Sequence, residues 1–264
     1  MKITTKAIGV NRADVFYRQG RYPVFGIELA GVGTDGKRYA AIVDGGAYNR
    51  EVTVEEGSYI EIPENMSFIE AAAITESLFT TYYNFVTLCG LKKGEKLLIH
   101  GGASGIGVVG IQLGQLLGAK VYASSGKPEK LELIKKLGAV AINYSDGFIA
   151  NKYDVILDMV GGKYFNSNLA ALARDGRLAI ISFIGGAKTD ANLAPLLLKN
   201  LTVHGSTIRS LSAVQKGEIA KAITPYFPKI KPVISKVFNF DERDQAIDYV
   251  EKYQNIGKVV VSLD

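Results

Sequence analysis

The segment of this chain best suited to chemistry is a glycine-rich turn. It lies within GGASGIGVVGIQLGQLLGA, directly after the apolar run KLLIHG and at the start of an apolar helical pattern. Gly102 is predicted to let the chain reverse, Ser104 to keep a small side chain beside a ligand, and Gly107 to let the helix approach the sheet. Because N–H groups at a helix start carry partial positive charge, the turn predicts a pyrophosphate site. A tight turn that holds no ligand is the alternative.

The end of the next predicted strand indicates which dinucleotide would bind. Sites for NAD place Asp or Glu there to bind the ribose 2′-hydroxyl, whereas this chain has a Ser-Ser-Gly sequence ending at Gly126. Lys127 and Lys130 follow, and Tyr144 ends the third predicted strand, so hydrogen-bond donors and positive charge are available for a 2′-phosphate. The sequence predicts NADPH rather than NADH, unless both lysines are only solvated helix residues.

Few soft side chains are available to bind a metal ion such as zinc. The chain holds one cysteine, Cys89, and two histidines, His100 and His204. This set excludes an internal disulfide and is too small for a zinc cage. We predict that no metal is bound, that both histidines are hydrogen-bonded structural residues, and that Cys89 is a packing residue.

Strands that alternate with helices are predicted to position these residues. The predicted strands are KLLIHG (96–101), KVYASS (120–125), AVAINY (139–144), DVILDMV (154–160), RLAIISF (177–183) and LTVHGSTI (201–208). Between two of them, Pro128 and Gly138 bound a predicted helix, PEKLELIKKL. This alternation predicts an α/β fold with a doubly wound parallel sheet, whose ligands bind at the carboxyl ends of the strands.

The flanking regions favour a second, β-rich unit. Residues 1–80 contain many glycines and short alternating segments such as YAAIVDGGAYNREVTV. After Ile208 the sequence predicts a helix (SAVQKGEIAKAITPYF), a β segment (PVISKVFNF), an amphipathic helix opened by Asp241 (DERDQAIDYVEKY) and a closing strand (GKVVVSL). We expect this tail to return to the first unit.

Composition limits the expected location and partners. The 264-residue chain is 47% hydrophobic and 22% charged, and it shows neither a membrane-length apolar run nor a signal-peptide pattern. We therefore expect a cytoplasmic protein with no membrane partner. The net charge of +5 comes from lysines and arginines spread along the chain, so no nucleic-acid partner is predicted.

Motifs along nearly the whole chain match one known family in order. They are GVNRADVFYRQGRYP, GIELAGVG, GGAYNREVTV, AAAITESLFTTYYN, HGGASGIGVVGIQL, LDMVGGKYFNSNL, GRLAIISFIGG, HGSTIRS and NIGKVVVSL. Together they resemble the zinc-free quinone oxidoreductases of the medium-chain dehydrogenase/reductase family. The resemblance implies a Rossmann NADPH-binding domain at residues 81–208, a GroES-like catalytic domain at residues 1–80 and 209–264, and an active site in the cleft between them. Zinc-containing relatives carry Cys and His in the segments that here read GVNRAD and GIELAG.

The resemblance also implies roles for individual residues. Asn11 and Tyr22 would face the nicotinamide and the substrate, with Tyr22 orienting the acceptor oxygen, and Thr80 would lie beside the nicotinamide ribose. Arg209 would close the cleft from the returning tail. The other implied residues are Ser104, Gly105, Ile106 and Gly107 for the pyrophosphate, Gly126, Lys130 and Tyr144 for the adenosine 2′-phosphate, Val160 and Gly161 for the ribose, Phe183, Ile184 and Gly185 for the carboxamide, and Asn255, Gly257 and Lys258 in the tail.

Two segments are shorter than in the family. The chain begins near the end of an early strand of the GroES-like domain, and the segment AGVGTDGKRYAAIV is shorter than the corresponding loop of relatives. We expect a reduced GroES-like β domain. A more open cleft, an altered substrate preference and lost activity are the alternatives that follow.

The activity implied by the resemblance is NADPH-dependent transfer of a hydride, or of single electrons, to a quinone. One alternative is the reduction of an α,β-unsaturated carbonyl or enoyl thioester. The other is a non-catalytic family member that binds NADPH or RNA. The expected partner is a small-molecule quinone or conjugated carbonyl, and relatives imply a homodimer that pairs the segment LTVHGSTI edge to edge.

Overall fold

The computed structural model of the chain describes residues 1–148, 150 and 152–263. The chain divides into two compact units. Unit 1 comprises Met1–Phe79 and Ile208–Asp264, and unit 2 comprises Thr80–Thr207. Among the described residues, no helix combines the length and the apolar character needed to cross a membrane.

Strands and helices follow one another along the chain in both units. The strands are β1 (Lys2–Val10), β2 (Glu28–Gly33), β3 (Arg38–Ile42), β4 (Glu51–Thr53), β5 (Tyr59–Glu61), β6 (Lys96–His100), β7 (Lys120–Ser125), β8 (Val140–Asn143), β9 (Tyr153–Asp158), β10 (Leu172–Ile180), β11 (Thr202–Gly205), β12 (Ile234–Asn239) and β13 (Lys258–Ser262). The α-helices are α1 (Arg12–Arg18), α2 (Phe68–Ala72), α3 (Thr75–Tyr82), α4 (Gly105–Leu116), α5 (Pro128–Lys136), α6 (Phe165–Ala171), α7 (Ala194–Lys199), α8 (Ala213–Ile223) and α9 (Arg243–Glu251). A π-helical turn, Tyr83–Leu88, follows α3, and 3-10 turns lie at Tyr144–Asp146, Gly162–Tyr164, Ile208–Ser210, Phe227–Lys229 and Phe240–Glu242.

Unit 2 contains a parallel sheet that, over the described residues, runs in the order β11-β10-β9-β6-β7-β8. The chain builds outwards from β6 to β8 and then restarts beside β6 with β9, so the doubly wound topology predicted from the sequence is confirmed. Nearly every position of β6 and β9 is buried, as expected for strands covered on both faces. The direction of winding changes between β6 and β9, which is where such sheets bind ligands.

The helix caps of unit 2 follow from local residue types. Helix α5 has Pro128 in its first turn and Lys135 and Lys136 in its last turn, and Gly138 adopts a φ of 83° just beyond it. This confirms the predicted helix, because proline lacks the N–H that a first turn leaves unpaired and glycine tolerates positive φ.

Several strand boundaries of unit 2 differ from the prediction, most of all in β10 and β11. Strand β10 begins at Leu172 rather than at residue 177, and its pairing with β9 shifts register between Leu172 and Arg177, where Asp175 has a φ of 59°. Because of this irregularity, the sequence pattern did not predict the first part of the strand. Strand β11 ends at Gly205 rather than at residue 208, because a 3-10 turn begins at Ile208.

Unit 1 is built on a mostly antiparallel sheet. Over the described residues its order is β12-β13-β1-β2-β3-β5, with β4 also paired to β1. Strand β13 pairs antiparallel with β1, so the predicted return of the tail to the first part of the chain is confirmed. Residues of β1, β2, β13 and α9 share one apolar core, which includes Ile8, Leu29, Ile247 and Val261.

The start of α9 was predicted wrongly. A 3-10 turn, Phe240–Glu242, precedes the helix, and the backbone N–H of Asn239 donates to Glu242 Oε2 at 3.0 Å. The capping box therefore begins at Asn239 rather than at Asp241, and the two candidate capping residues are too close in sequence for the pattern alone to separate them.

Candidate functional site

The glycine-rich turn joins β6 to α4 at the carboxyl edge of the parallel sheet. Ser104 is the N-cap of α4, and its Oγ accepts the N–H of Gly107 at 3.0 Å. Gly105 and Ile106 are the first two residues of the helix and remain partly exposed. N–H groups at these positions have no acceptor within the helix, so they are available to an anion.

Gly102 and Gly107 are required for close packing. A Cβ at Gly107 would lie 2.3 Å from the carbonyl oxygen of Gly101, and one at Gly102 would lie 2.6 Å from Ala123 Cβ on β7. The residue that reverses the chain is Gly101, with a φ of 67°. The prediction that Gly102 makes this reversal is therefore wrong: its lack of a side chain serves the packing of the turn against β7.

The carboxyl ends of β7 and β8 form a neighbouring shallow site. A Cβ on Gly126 would lie 2.2 Å from the Tyr144 ring, so glycine is what lets that ring lie against the end of β7. Tyr144 is 49% exposed, and Lys130 is half-buried on α5. No carboxylate stands at the end of β7, because the strand closes with Ser124 and Ser125.

Two further loops meet at the carboxyl ends of β9 and β10. The N–H of Gly185 donates to the carbonyl of Val160 at 2.7 Å, and the N–H of Ile184 donates to that of Met159 at 3.2 Å. Gly161 adopts a φ of 80°. The exposed fractions of Phe183 and Ile184 are 52% and 36%, so both apolar side chains are accessible. The structure thus brings the predicted ribose and carboxamide residues together.

The glycine-rich turn contacts the β9 loop through a sulfur atom. Ser104 Oγ lies 3.8 Å from Met159 Sδ, and a Cβ on Gly101 would lie 2.7 Å from the same sulfur. The predicted pyrophosphate residues are therefore beside the predicted ribose residues at one edge of the sheet.

Thr80 lies in α3, three residues before the π-helical turn begins at Tyr83. Its side chain is buried, and its carbonyl oxygen accepts Asn84 Nδ2 at 2.8 Å. Asn84 Oδ1 accepts the hydroxyl of Ser206 at 2.8 Å. Single π-helical turns inside α-helices are frequent at functional sites, and this one fixes the backbone around Thr80.

In unit 1, Asn11 is held by a buried ion pair that sequence reasoning missed. Glu28 is fully buried, Lys258 is 5% exposed, and the Lys258 ammonium contacts Glu28 Oε1. Asn11 Nδ2 donates to Glu28 Oε1 at 2.7 Å, and Asn11 Oδ1 accepts Lys258 Nζ at 2.7 Å. These contacts fix the orientation of the Asn11 amide and hold the Lys258 ammonium inside unit 1.

Asp14 fixes the position of the backbone at Asn11. Its carboxylate accepts the N–H of Asn11 at 2.7 Å and the N–H of Gly26 at 2.9 Å. Burial raises the pKa of Asp14 to about 6, although both hydrogen bonds act to lower it.

The remaining predicted residues of unit 1 form two local groups. The Arg209 guanidinium lies 5.1 Å from the centroid of the Tyr22 ring, which is cation–π distance. Asn255 Nδ2 donates to the carbonyl of Gly257 at 2.8 Å in the turn that leads into Lys258. A Cβ on Gly257 would lie 2.0 Å from the carbonyl oxygen of Val233, so this turn requires glycine.

A buried chain of polar side chains in unit 2 was also missed by sequence reasoning. His100 lies 2.9 Å from Ser124 Oγ through Nδ1 and 2.7 Å from Asn168 Oδ1 through Nε2. Asn168 Nδ2 donates to Asp158 Oδ2 at 3.0 Å. Burial lowers the pKa of His100 to about 4. The sequence identified His100 as a hydrogen-bonded structural residue, but its partners are distant in sequence and no motif indicates them.

The candidate metal ligands are dispersed. Cys89 is buried, and burial raises the pKa of its thiol to about 12, which agrees with a packing role. His204 is half-buried on β11. In the part of the chain that the structure describes, no three His, Cys, Asp or Glu side chains are grouped so that they could hold a metal ion.

The geometry of unit 2 fits a dinucleotide. A helix start with accessible N–H groups, a close approach that only glycine permits at Gly107, and a Gly126–Tyr144 site at the next strand end lie along one edge of the sheet. This is the order in which pyrophosphate and adenosine ribose bind to doubly wound sheets.

Comparison with known proteins agrees with this arrangement. A family model described as zinc-binding dehydrogenase matches residues 105–224. Quinone oxidoreductase-like protein 2 of Bos taurus is 29% identical over 310 residues, which cover 100% of this chain and 85% of that protein. The 2-methylene-furan-3-one reductase of Solanum lycopersicum is 32% identical over 225 residues, covering 82% of this chain and 52% of that enzyme.

A solved structure is similar over almost the full length. It is the quinone oxidoreductase of Thermus thermophilus, described together with its complex with NADPH. The TM-score is 0.85 and the sequence identity is 30%, over 99% of this chain and 90% of that chain. The similarity therefore includes both the parallel sheet and the mostly antiparallel sheet.

Proposed function

The chain belongs to the quinone oxidoreductases of the medium-chain dehydrogenase/reductase family, and on that premise we propose that it is an NADPH-dependent enzyme that reduces quinones without a metal ion. The observation that carries the proposal is the start of α4, where accessible N–H groups suit a pyrophosphate and where Gly107 lets the helix pack against the glycine-rich turn.

The preference for NADPH is inferred from the ends of β7 and β8. A 2′-hydroxyl of NADH would need a carboxylate beside it, whereas this edge offers Gly126, the Tyr144 hydroxyl and the cationic Lys130. Cationic and neutral donors suit the 2′-phosphate of NADPH. The Thermus relative, which is described in complex with NADPH, supports the same choice.

The other proposed cofactor residues come from the loops that follow β9 and β10 and from helix α3. Val160 and Gly161 would line the ribose, Phe183, Ile184 and Gly185 would contact the carboxamide, and Thr80 would lie beside the nicotinamide ribose. The bound cofactor supplies a hydride to the acceptor. The chain's task is to hold the two reactants in position and to exclude water.

Binding of the acceptor is proposed to use residues of unit 1. Tyr22 would donate its hydroxyl hydrogen bond to the acceptor oxygen, and Asn11 would line the pocket with an amide whose orientation Glu28 and Lys258 fix. Arg209, Asn255 and Gly257 would support this region, as the Arg209–Tyr22 contact suggests. The proposal includes no metal ion, because two of the side chains that could bind one are not available as ligands. Both ring nitrogens of His100 already have hydrogen-bond partners, and the Cys89 thiol is buried.

Reduction of a conjugated carbonyl is the second candidate. It is favoured by the 32% identity to a plant enzyme named for the reduction of a methylene-furanone, although this chain spans 52% of that enzyme. Both reactions deliver hydride to a conjugated acceptor, so the same residues would serve either one.

Steady-state assays with NADPH and a panel of 1,2-quinones, 1,4-quinones and enones test the proposal. We expect the highest kcat/KM for a quinone. Faster reduction of enones would favour the second candidate, and NADPH binding without turnover of any acceptor would indicate a non-catalytic binding protein.

We also propose that the chain forms a homodimer through β11. This strand lies at one edge of the parallel sheet, and its Val203 side chain is 36% exposed. An uncovered edge strand offers unpaired backbone groups to a second copy.

A further inference from the structure

We propose that Asp158, Asn168 and His100 are positioning residues: a directional chain of buried hydrogen bonds from Ser124 to the loop after β9 sets the geometry of the cofactor loops. The inference rests on the proposed function, because it concerns how the proposed cofactor site is held. All the members of this chain lie in unit 2.

The donor and acceptor roles along this chain of hydrogen bonds follow from Asp158, whose own role is fixed. Asp158 accepts the backbone N–H of Val160 at 2.6 Å and that of Gly161 at 3.2 Å, so the carboxylate acts only as an acceptor. Asn168 must then turn its Nδ2 towards Asp158 and its Oδ1 towards His100, as the structure has it. The His100 Nε2–H is the donor in that contact, which leaves Nδ1 to accept the Ser124 hydroxyl.

The carboxylate end of the chain shapes the loop after β9. By accepting the N–H groups of both Val160 and Gly161, Asp158 holds the backbone where Gly161 takes its φ of 80°. The carbonyl of Val160 in turn receives the N–H of Gly185. One buried side chain therefore orients both loops that are proposed to contact the ribose and the carboxamide.

The other end of this chain of hydrogen bonds, at Ser124, lies near the residues that are proposed to bind the adenosine 2′-phosphate. His100 is the last residue of β6, immediately before the glycine-rich turn, and Ser124 lies on β7 two positions before Gly126. His100, Ser124, Asn168 and Asp158 are all buried. A break at one member would leave a buried donor or acceptor unpaired, so we expect the members to act as one unit.

Asp158, rather than its titratable neighbours, is expected to change charge near neutral pH. Burial raises the pKa of Asp158 to about 6, against the N–H groups of Val160, Gly161 and Asn168, which lower it. His100, which contacts Asn168, has its pKa lowered to about 4 by burial. The pKa of Tyr164 is raised by burial, by Tyr144 and by Asp158. Protonation of Asp158 removes acceptor capacity, so the loop should loosen as the pH falls through about 6.

Exchanging the side chains of Asp158 and Asn168 tests the chain of hydrogen bonds directly. Asn168→Asp places a second carboxylate against Asp158, and we expect it to weaken NADPH binding by about tenfold at alkaline pH. The double variant Asp158→Asn/Asn168→Asp restores an amide donor against a carboxylate acceptor, while the new amide oxygen at position 158 still accepts the loop N–H groups. Its affinity should return to within about threefold of the wild type.

Asn65→Asp is the matched control, since Asn65 is exposed in a turn of unit 1. It makes the same chemical change outside the chain, so its affinity should equal that of the wild type. Equal affinities for Asn168→Asp and the wild type, or a double variant no better than Asn168→Asp alone, would overturn the proposal.

A second measurement does not depend on the exchange of side chains or on the cofactor. Amide NMR shifts of Val160 and Gly161 in the free protein should titrate together near pH 6, and the titration should vanish in Asp158→Asn. Amide shifts that stay constant throughout the titration of the Asp158 carboxyl would overturn its role in the loop. If the wild type bound neither NADPH nor NADH, the proposed function would fail, while the amide titration would still decide whether Asp158 fixes the loop.

Discussion

At the scale of single residues, Tyr22 carries the proposed contact with the acceptor oxygen. Tyr22→Phe keeps the ring that lies 5.1 Å from the Arg209 guanidinium and removes only the hydroxyl. We expect kcat/KM for a quinone to fall by about tenfold, the effect of one lost hydrogen bond in the transition state, with the Kd for NADPH unchanged. Steady-state kinetics and calorimetry measure the two quantities. An unchanged kcat/KM would remove Tyr22 from the mechanism.

The buried pair of Glu28 and Lys258 makes a different prediction, which concerns stability. Glu28→Gln leaves the Lys258 ammonium buried without a carboxylate, which should lower the free energy of unfolding by about 3 kcal/mol. Urea unfolding measures the change.

Glu61→Gln is the matched control for this prediction, because Glu61 pairs with Lys37 at 3.0 Å and both side chains are more than half exposed. Exposed ion pairs contribute little, so its effect should stay below about 1 kcal/mol. Equal effects of the two substitutions would show that burial does not matter to the Glu28 pair.

The residue scale is also where sequence reasoning was most limited. Gly107 and Ser104 could be identified because a strand, a turn and a helix are contiguous in sequence. The partners of His100 and Glu28 could not be found in this way. Asn168 lies 68 positions from His100, and Lys258 joins the site only because β13 pairs with β1. Such contacts depend on strand register, which local patterns do not determine.

At the scale of elements, the two ends of the proposed cofactor site should respond differently to an added methyl group. In Gly107→Ala the new Cβ meets backbone at 2.3 Å, so α4 or the turn must move, and we expect a loss of about 2 kcal/mol or more in the free energy of unfolding. In Gly126→Ala the three atoms nearest to the new Cβ all belong to the Tyr144 side chain, which is half exposed and can swing away. That variant should keep its stability and lose NADPH affinity.

Gly217→Ala is the control for adding a methyl group to a glycine where there is room for it. Gly217 lies in α8, where the nearest atom to a new Cβ is Gly57 Cα at 3.4 Å, and alanine favours helix over glycine by about 1 kcal/mol. Thermal unfolding and NADPH titration of the three variants separate the effects. Equal loss of stability in Gly107→Ala and Gly126→Ala would contradict this account of the site.

Element boundaries show why the fold was easier to predict than its details. The alternation of strands with helices specified the parallel sheet and its order, because right-handed crossovers leave few other topologies. The start of β10 was missed because of its irregularity at Asp175, and the start of α9 because Asn239, Asp241 and nearby residues are all plausible caps. In both cases local geometry, rather than residue type, fixes the boundary.

At the scale of the whole molecule, the proposed homodimer should depend on the edge strand β11. Val203→Asp places a charge on the exposed side of this strand without disturbing a buried residue. We expect sedimentation velocity to show a dimer for the wild type and a monomer for the variant. A variant that sediments as the wild type does would rule out β11 as the interface.

Calorimetric titration of the purified chain with NADPH and with NADH tests whether the edge of the parallel sheet binds NADPH. We expect NADPH to bind at least about tenfold more tightly than NADH, because Gly126, Lys130 and Tyr144 lie where a carboxylate would favour NADH. A tighter complex with NADH, or no heat of binding with either dinucleotide, would contradict it.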